Sequence, residues 1–335
     1  MRARVTLTLD ERLADLMERA HVPGLSAVVV EDGQITWSGV FGVRHRDSAE
    51  RVESDTVYQA ASLSKPVFAF AVMQLVRRGT IGLDTPLSAY LPEPYVEDDA
   101  MLARVTARHV LSHVTGWPNW RPNGQALRRA ASPGERFGYS GEGYVYLQRV
   151  VEHVSGRSLE ELMQTDVLAP LGMAHSTFAW MRADDPGVAG AHDRDGAPIA
   201  PYRGEHANAA SSLHSTPTDF AAFMMEFLTP SRGIQDEMLR TQVRVNGNVA
   251  WGLGWGLQVS DQGEAFWHWG DNPGYKSLAL ALRQRRKGVV VMTNGDGGRP
   301  LCAWIVQSAL GADHPSLGWL ERFYQDLDAA EHPAN

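Results

Sequence analysis

Apolar residues recur along this chain with two periods, and the change of period maps its organisation. Val67, Phe68, Ala71, Val72, Leu75 and Val76 follow Pro66 with helical spacing until Gly79, and Pro66 itself suits a first helical turn. Leu13, Leu16, Met17 and Ala20 share one face of an earlier helix that Asp10 would cap. Residues 25–30 and 34–38 read as strands instead, and Glu31-Asp32-Gly33 between them supplies the positive φ angles of a tight hairpin turn. From about residue 83 to residue 228, helical segments alternate with Pro- and Gly-containing connections. Strand patterns return over 252–259, 265–269, 277–282 and 289–293, and a helix over 301–310 would cover them. Strands at both ends with helices between predict an α/β fold of the α+β type. Its antiparallel sheet, flanked by helices, would be built from residues 1–60 and 235–335, its mainly helical domain from 61–234, and a cleft would lie at their seam.

Composition narrows the partners. The chain has 335 residues, 44% hydrophobic and 21% charged, with a net charge of −8, which argues against nucleic acid or an anionic membrane as the main partner. The one basic cluster, Arg283-Gln-Arg-Arg-Lys287, separates two apolar runs and reads as a solvated hairpin tip. The first residues hold no apolar leader and no run approaches the length of a membrane span, so cytoplasmic residence is the expectation. The single cysteine, Cys302, excludes an internal disulfide and reads as core packing.

Chemistry concentrates in three short stretches. In Ala61-Ser62-Leu63-Ser64-Lys65-Pro66, Ser62 and Lys65 stand three residues apart, so an amine can sit against a hydroxyl and take its proton. The chain uses only three lysines among its 31 Lys and Arg residues, and position 65 carries one of them, a cation that can lose its proton as guanidinium cannot. Ser62 would lie at or just before a helix N-terminus, where free N–H groups favour a developing oxyanion. Tyr139 follows a turn and precedes an amphipathic helix; a phenol there could relay the serine proton, with Lys65 lowering its pKa. In Trp267-His268-Trp269-Gly270-Asp271, Gly270 would permit close backbone approach to a ligand, and the N–H of Asp271 is a candidate second oxyanion donor beside that of Ser62. Trp117, Trp120, Trp267, Trp269 and Tyr275 neighbour these stretches and could wall an apolar acyl pocket.

With these stretches in order, the chain resembles the serine β-lactamase and penicillin-binding superfamily, in the branch of class C β-lactamases, D-stereospecific peptidases and family VIII carboxylesterases. Ser62 and Lys65 match its Ser-x-x-Lys element, Tyr139-Ser140-Gly141 its Tyr-x-Asn element, and His268-Trp269-Gly270 its Lys/His-x-Gly element. The segment from His109 to Trp117, Leu171-Gly-Met173, the stretch from Ser212 to Asp219, the Trp251-Gly-Leu-Gly-Trp255-Gly run and Thr293-Asn294-Gly295 extend the likeness over most of the chain. The resemblance implies a β-lactamase/transpeptidase-like fold and acyl transfer through a covalent Ser62 intermediate. Lys65 and Tyr139 would move protons, and His268, Trp269, Gly270, Trp117 and Tyr275 would bind substrate. It implies no cofactor and no metal.

Two departures shape the substrate expectation. Gly141 replaces the asparagine that helps hold a substrate amide, and His268 replaces the lysine of class C lactamases, a weaker cation for a substrate carboxylate. Both favour a carboxylesterase acting on small acyl esters over a β-lactamase, a D-amino-acid peptidase or amidase, or an acyltransferase, as does the missing export signal. A sensor acylated once at Ser62 is the non-enzymatic alternative. An α/β-hydrolase elbow is not matched, because Gly138-Tyr-Ser140-Gly-Glu142 lacks the final glycine. His192, Asp193, Asp195, His206 and His214 lack recognised metal-ligand spacing.

Overall fold

Every residue of the first strand but the last is buried, so this strand has to be covered on both faces. Alternation divides its side chains: Leu25, Ala27 and Val29 enter one core, Val28 and Val30 another. This is the plan of the whole computed structural model, which describes residues 12–331 other than 98, 122–124, 232 and 262.

The described residues form a nine-stranded antiparallel sheet in the order β3-β2-β1-β13-β12-β11-β10-β9-β8. Its N-terminal strands are β1 (Gly24–Glu31), β2 (Gln34–His45) and β3 (Glu50–Arg51). Short ladders β4 (Tyr58–Ala61) with β7 (Leu213–Ser215) and β5 (Ala191–His192) with β6 (Pro198–Ile199) lie outside it. The C-terminal strands are β8 (Val243–Arg244), β9 (Val249–Trp251), β10 (Gly256–Ser260), β11 (Gly263–Asn272), β12 (Tyr275–Leu282) and β13 (Lys287–Thr293). Between the two groups stand helices α2 (Ser64–Arg77), α3 (Ala107–Leu111), α4 (Gly141–Ser155), α5 (Leu159–Met163), α6 (Pro217–Met225) and α7 (Ile234–Met238). Helix α1 over 12–19 precedes the sheet, and α8 (Gly298–Leu310) and α9 (Pro315–Glu331) follow it.

The two ends of the chain meet where β1 pairs with β13, Leu25 opposite Thr293. One core packs α1, α8 and α9 on the face that carries Val289, Val291, Leu278 and Leu280; the other packs the helical segment on the face that carries Val290, Met292, Ala279 and Ala281. The small residues of that second face let the helical layer come close, as where Met224 of α6 lies over Gly288. The hairpin turn at Asp32 and Gly33 takes φ of 54° and 76°, as the Asp-Gly pair predicts. Residues 283–286 form the turn between β12 and β13, the solvated tip expected of the basic cluster. Cys302 is buried in α8, where desolvation pushes its thiol up to about 12. Asp10, the expected cap of α1, lies outside the described residues. Among the described residues no helix is long and apolar enough to cross a membrane.

Gly270 performs a different task from the one its motif suggests. A Cβ there would stand 2.1 Å from the Ala60 carbonyl oxygen and 2.2 Å from Ser277 Oγ, so the bare backbone admits β4 rather than a ligand. Ser277 Oγ donates to the same carbonyl at 3.0 Å. The strand that ends at the Ser62 turn is thereby docked on β11. We expect Gly270→Ala to lower folding stability by about 1–3 kcal/mol, the usual cost of overpacking. Denaturant titration checks it, and an unchanged midpoint contradicts the tight approach.

Candidate active site

Strand β4 ends in a strained turn. Ala61 has φ 52°, a region L-residues avoid, and Ser62 follows it with its side chain half exposed. The turn is tied down by Ser64, whose hydroxyl donates to Ala61 O at 2.5 Å and accepts from the Leu213 N–H at 2.9 Å. Helix α2 then begins at Ser64, two residues past Ser62, and its first turn sets Lys65 Nζ 2.9 Å from Ser62 Oγ. The second anchor of the amine is the Ala210 carbonyl at 2.8 Å, just ahead of β7. Lys65 is wholly buried, and among the described residues no carboxylate pairs with it. Desolvation alone therefore carries its pKa well below the lysine range, toward the neutral amine.

Tyr139 reaches the same place from the N-terminal end of α4. Ser140 caps that helix by accepting from the Gly143 N–H at 3.1 Å, and its hydroxyl donates to Pro118 O at 2.8 Å. Asn119 Oδ1 accepts from the Gly141 N–H at 3.0 Å. Lys65 Nζ lies 4.8 Å from the centroid of the Tyr139 ring. Burial pushes the phenol well above its ordinary pKa; the Ser62 hydroxyl offsets this only in part, without a hydrogen bond of ordinary geometry. The expectation that Lys65 lowers the phenol's pKa is corrected here: burial dominates, and Lys65 is not among the groups that offset it. Burial thus favours the uncharged form of both groups.

Alternation along β11 separates the third stretch into two sets. His268, Gly270 and Asn272 face the helical layer, and Asn272 Nδ2 donates to Gln59 Oε1 of β4 at 2.8 Å. His268 is buried, and its Nδ1 bonds the Trp269 carbonyl at 2.8 Å. Burial, then Lys65, lower its pKa to about 3, so the ring is neutral. His268 does not line the cleft, which corrects its expected part as a cation for a substrate carboxylate. Trp269 and Asp271 do line it. In the β10–β11 and β11–β12 registers the N–H groups of Trp269 and Asp271 turn toward the β10 side, beyond the last β10 pair at Gly256–Trp267. Among the described residues no strand pairs opposite them, a disposition suited to receiving an oxyanion.

The cleft over Ser62 holds about 490 Å³, within the usual range for small ligands. Ser62, Tyr139, Trp120, Trp269 and Asp271 are among its lining residues. Trp117 and Tyr275 are not, and both are corrected to core residues. Trp117 packs against Tyr95 and Tyr146 with centroids 5.8 and 5.7 Å away, and the Tyr275 hydroxyl donates to Ala189 O at 2.7 Å. Trp267 is likewise buried, against Trp251 and Trp319. Sequence reasoning missed Phe323, Tyr324 and Leu327 of α9, and Asn119, Asn208 and Tyr202 from loops. Only the apolar spacing of α9 could have pointed to the first three. Trp120 also gives Gly141 a reason, since a Cβ at 141 would meet its ring at 2.7 Å.

A sequence profile described as Beta-lactamase matches residues 9–311. The chain belongs to the beta-lactamase family. Among curated members, Esterase EstB of Burkholderia gladioli is 29% identical over 206 residues, 52% of this chain and 52% of EstB, so the match spans about half the length of that relative. Penicillin-binding protein 4* of Bacillus subtilis (strain 168) is 24% identical across 97% of this chain and 78% of its own. Of solved structures, the octameric penicillin-binding protein homologue from Pyrococcus abyssi superposes with a TM-score of 0.80 at 26% identity, covering 91% of this chain and 76% of that one. A class C beta-lactamase superposes with a TM-score of 0.80 at 18% identity, covering 93% and 98%, a likeness of fold alone. This beta-lactamase family member thus has the β-lactamase/transpeptidase-like fold that the motifs implied.

The unpaired buried amine has a thermodynamic signature. Its folded pKa lies below the unfolded one, so between the two the unfolded chain binds a proton that the folded chain does not, and stability must rise with pH across that window. Between pH 7 and 9 we expect the parent to gain stability relative to Lys65→Met, which lacks this group. Parallel denaturant titrations check it, and identical slopes contradict a neutral Lys65.

Proposed function

We propose that this family member is a serine hydrolase, and a carboxylesterase acting on small neutral esters with apolar acyl groups. Ser62 Oγ attacks the ester carbonyl while its proton passes to neutral Lys65 Nζ. The backbone N–H groups of Ser62 and Asp271 take the oxyanion. Collapse of the tetrahedral species breaks the C–O bond of the ester, and Tyr139, whose raised pKa keeps its proton available, donates to the departing alkoxide and is reprotonated from Lys65. Water then attacks the acyl-Ser62 bond by the reverse proton route and frees the acid.

One observation carries the choice of substrate. Among the described residues lining the cleft none is Lys, Arg or His, and the one charged group is the Asp271 carboxylate. A β-lactam or a D-peptide brings a carboxylate that needs a cation, and His268 is neutral, wholly buried and outside the cleft lining. The aromatic and aliphatic surfaces of Trp120, Trp269, Phe323 and Leu327 suit an apolar acyl chain instead. EstB is an esterase by name, which agrees with this choice.

The purified protein should release p-nitrophenol from p-nitrophenyl acetate and butyrate well beyond one equivalent, and Ser62→Ala should lose on the order of a thousandfold in kcat. Nitrocefin and a D-amino-acid p-nitroanilide should be far poorer substrates. Faster turnover of either overturns the ester preference, and release that stops at one equivalent points to an acylated sensor instead.

A further inference from the structure

We propose that His113 is the positioning residue for Tyr139, holding the backbone on both sides of the phenol with two acceptors of its own; this rests on the reading of Tyr139 as a proton donor to the leaving group. The carbonyl of His113 accepts from the Gly138 N–H at 2.8 Å. Its Nδ1 accepts from the Ser140 N–H at 3.0 Å. The residues before and after Tyr139 are therefore pinned to a single residue, and the imidazole lies against the phenol with ring centroids 4.4 Å apart. Three contacts from one side chain and its carbonyl fix the height, direction and tilt of the ring.

The acceptor role demands one protonation state. A backbone N–H can only donate, so Nδ1 must carry its lone pair, and the ring proton belongs on Nε2. A charged imidazolium would oppose N–H to N–H and release Ser140. The surroundings prevent it: the ring is wholly buried, Lys65 of α2 and His268 of β11 face it, and the pKa falls well below the histidine range from burial first and those two groups next. Tyr144 of α4 and Trp251 of β9 complete the packing, with centroids at 5.3 Å each.

The backbone at this position adds a second observation. His113 has φ 57°, a left-handed conformation that costs most L-residues about 1 kcal/mol or more. It sits just after α3, where a helix-ending glycine would be the unstrained choice, yet glycine has no acceptor to offer Ser140. The strain is retained with the imidazole because the imidazole holds the loop. Asparagine also tolerates this backbone and, unlike aspartate, brings a short side-chain acceptor without a charge to bury.

That pairing supplies the test, which uses p-nitrophenyl butyrate as the probe substrate and thermal unfolding as the check on folding. His113→Leu, which keeps bulk and removes the acceptor, should lower kcat by roughly a hundredfold with KM within about twofold, because a misplaced phenol affects the reacting atoms and not the acyl pocket. His113→Asn should recover most of that loss. In a Tyr139→Phe background the His113→Leu change should have no further effect on kcat, since its influence passes through the phenol. A Tyr139→Phe enzyme with parent kcat overturns the reading of Tyr139 and this proposal with it. If Tyr139→Phe lowers kcat while His113→Leu keeps parent kcat, or lowers it equally in both backgrounds, the positioning role alone is overturned. Should His113→Leu fail to fold, His113→Asn decides: parent-like kcat supports the acceptor role, and a folded variant with a hundredfold loss overturns it.

Discussion

The site depends on a lysine buried without a counter-ion. An ammonium taken out of water costs several kcal/mol unless a carboxylate compensates it, and a lysine can avoid that cost only by giving up its proton. This chain buries two lysines and partners them oppositely. Lys276 has Asp271 at 2.9 Å and Asp296 at 2.5 Å, whereas among the described residues Lys65 has only the Ser62 hydroxyl and the Ala210 carbonyl as hydrogen-bond partners. The missing partner is what turns Lys65 from a cation into a base. His113 and His268 belong to the same dry region, and their neutrality follows from the same desolvation.

The turn of α2 delivers that amine to the hydroxyl locally, but the Ala210 anchor and the Tyr139 ring come from segments far away in sequence, and the fold gathers them by close backbone approach. Glycine at 270 lets β4 lie on β11, which fixes the strand leading into Ser62. The β4–β7 ladder brings Ala210 and Leu213 to the start of α2, where one carbonyl anchors Lys65 and one N–H anchors Ser64. The N-terminal end of α4 is tied to Pro118 and Asn119, and Tyr139 stands just ahead of it. The Lys276 ion pairs hold Asp271 beside the cleft, so the paired lysine supports the wall that faces the unpaired one.

Much of this was legible in the residues. Short strand-like runs at both ends of the chain marked the strands of the main sheet, Asp32-Gly33 marked its first hairpin, and the three-residue spacing of Ser62 and Lys65 marked the pair that meets at 2.9 Å. What escaped is what pattern does not encode. A tryptophan beside a motif looks the same whether it turns inward, as Trp117 does, or into the cleft, as Trp120 does, and only tertiary packing separates them. His268 and Trp269 are neighbours in sequence, yet a strand sends them to opposite faces. Helix α9 contributes a wall of the cleft through Phe323 and Leu327 without any chemical motif to announce it. The sign of the shift at Tyr139 could not be read either, since a lysine drawn as a charge in the sequence is neutral once buried.

The most direct test is the proton on Lys65 itself. With only three lysines in the chain, at 65, 276 and 287, a protein labelled with ¹³C and ¹⁵N at the lysine side chains gives three resolvable Cε and Nζ signals, assigned by single Lys→Arg or Lys→Met variants. The account predicts that the Lys65 signal has the shifts of a neutral amine at pH 7 and titrates well below the ordinary lysine range. A Lys65 signal that stays in its ammonium form to about pH 10, the value of an unperturbed lysine, would contradict it.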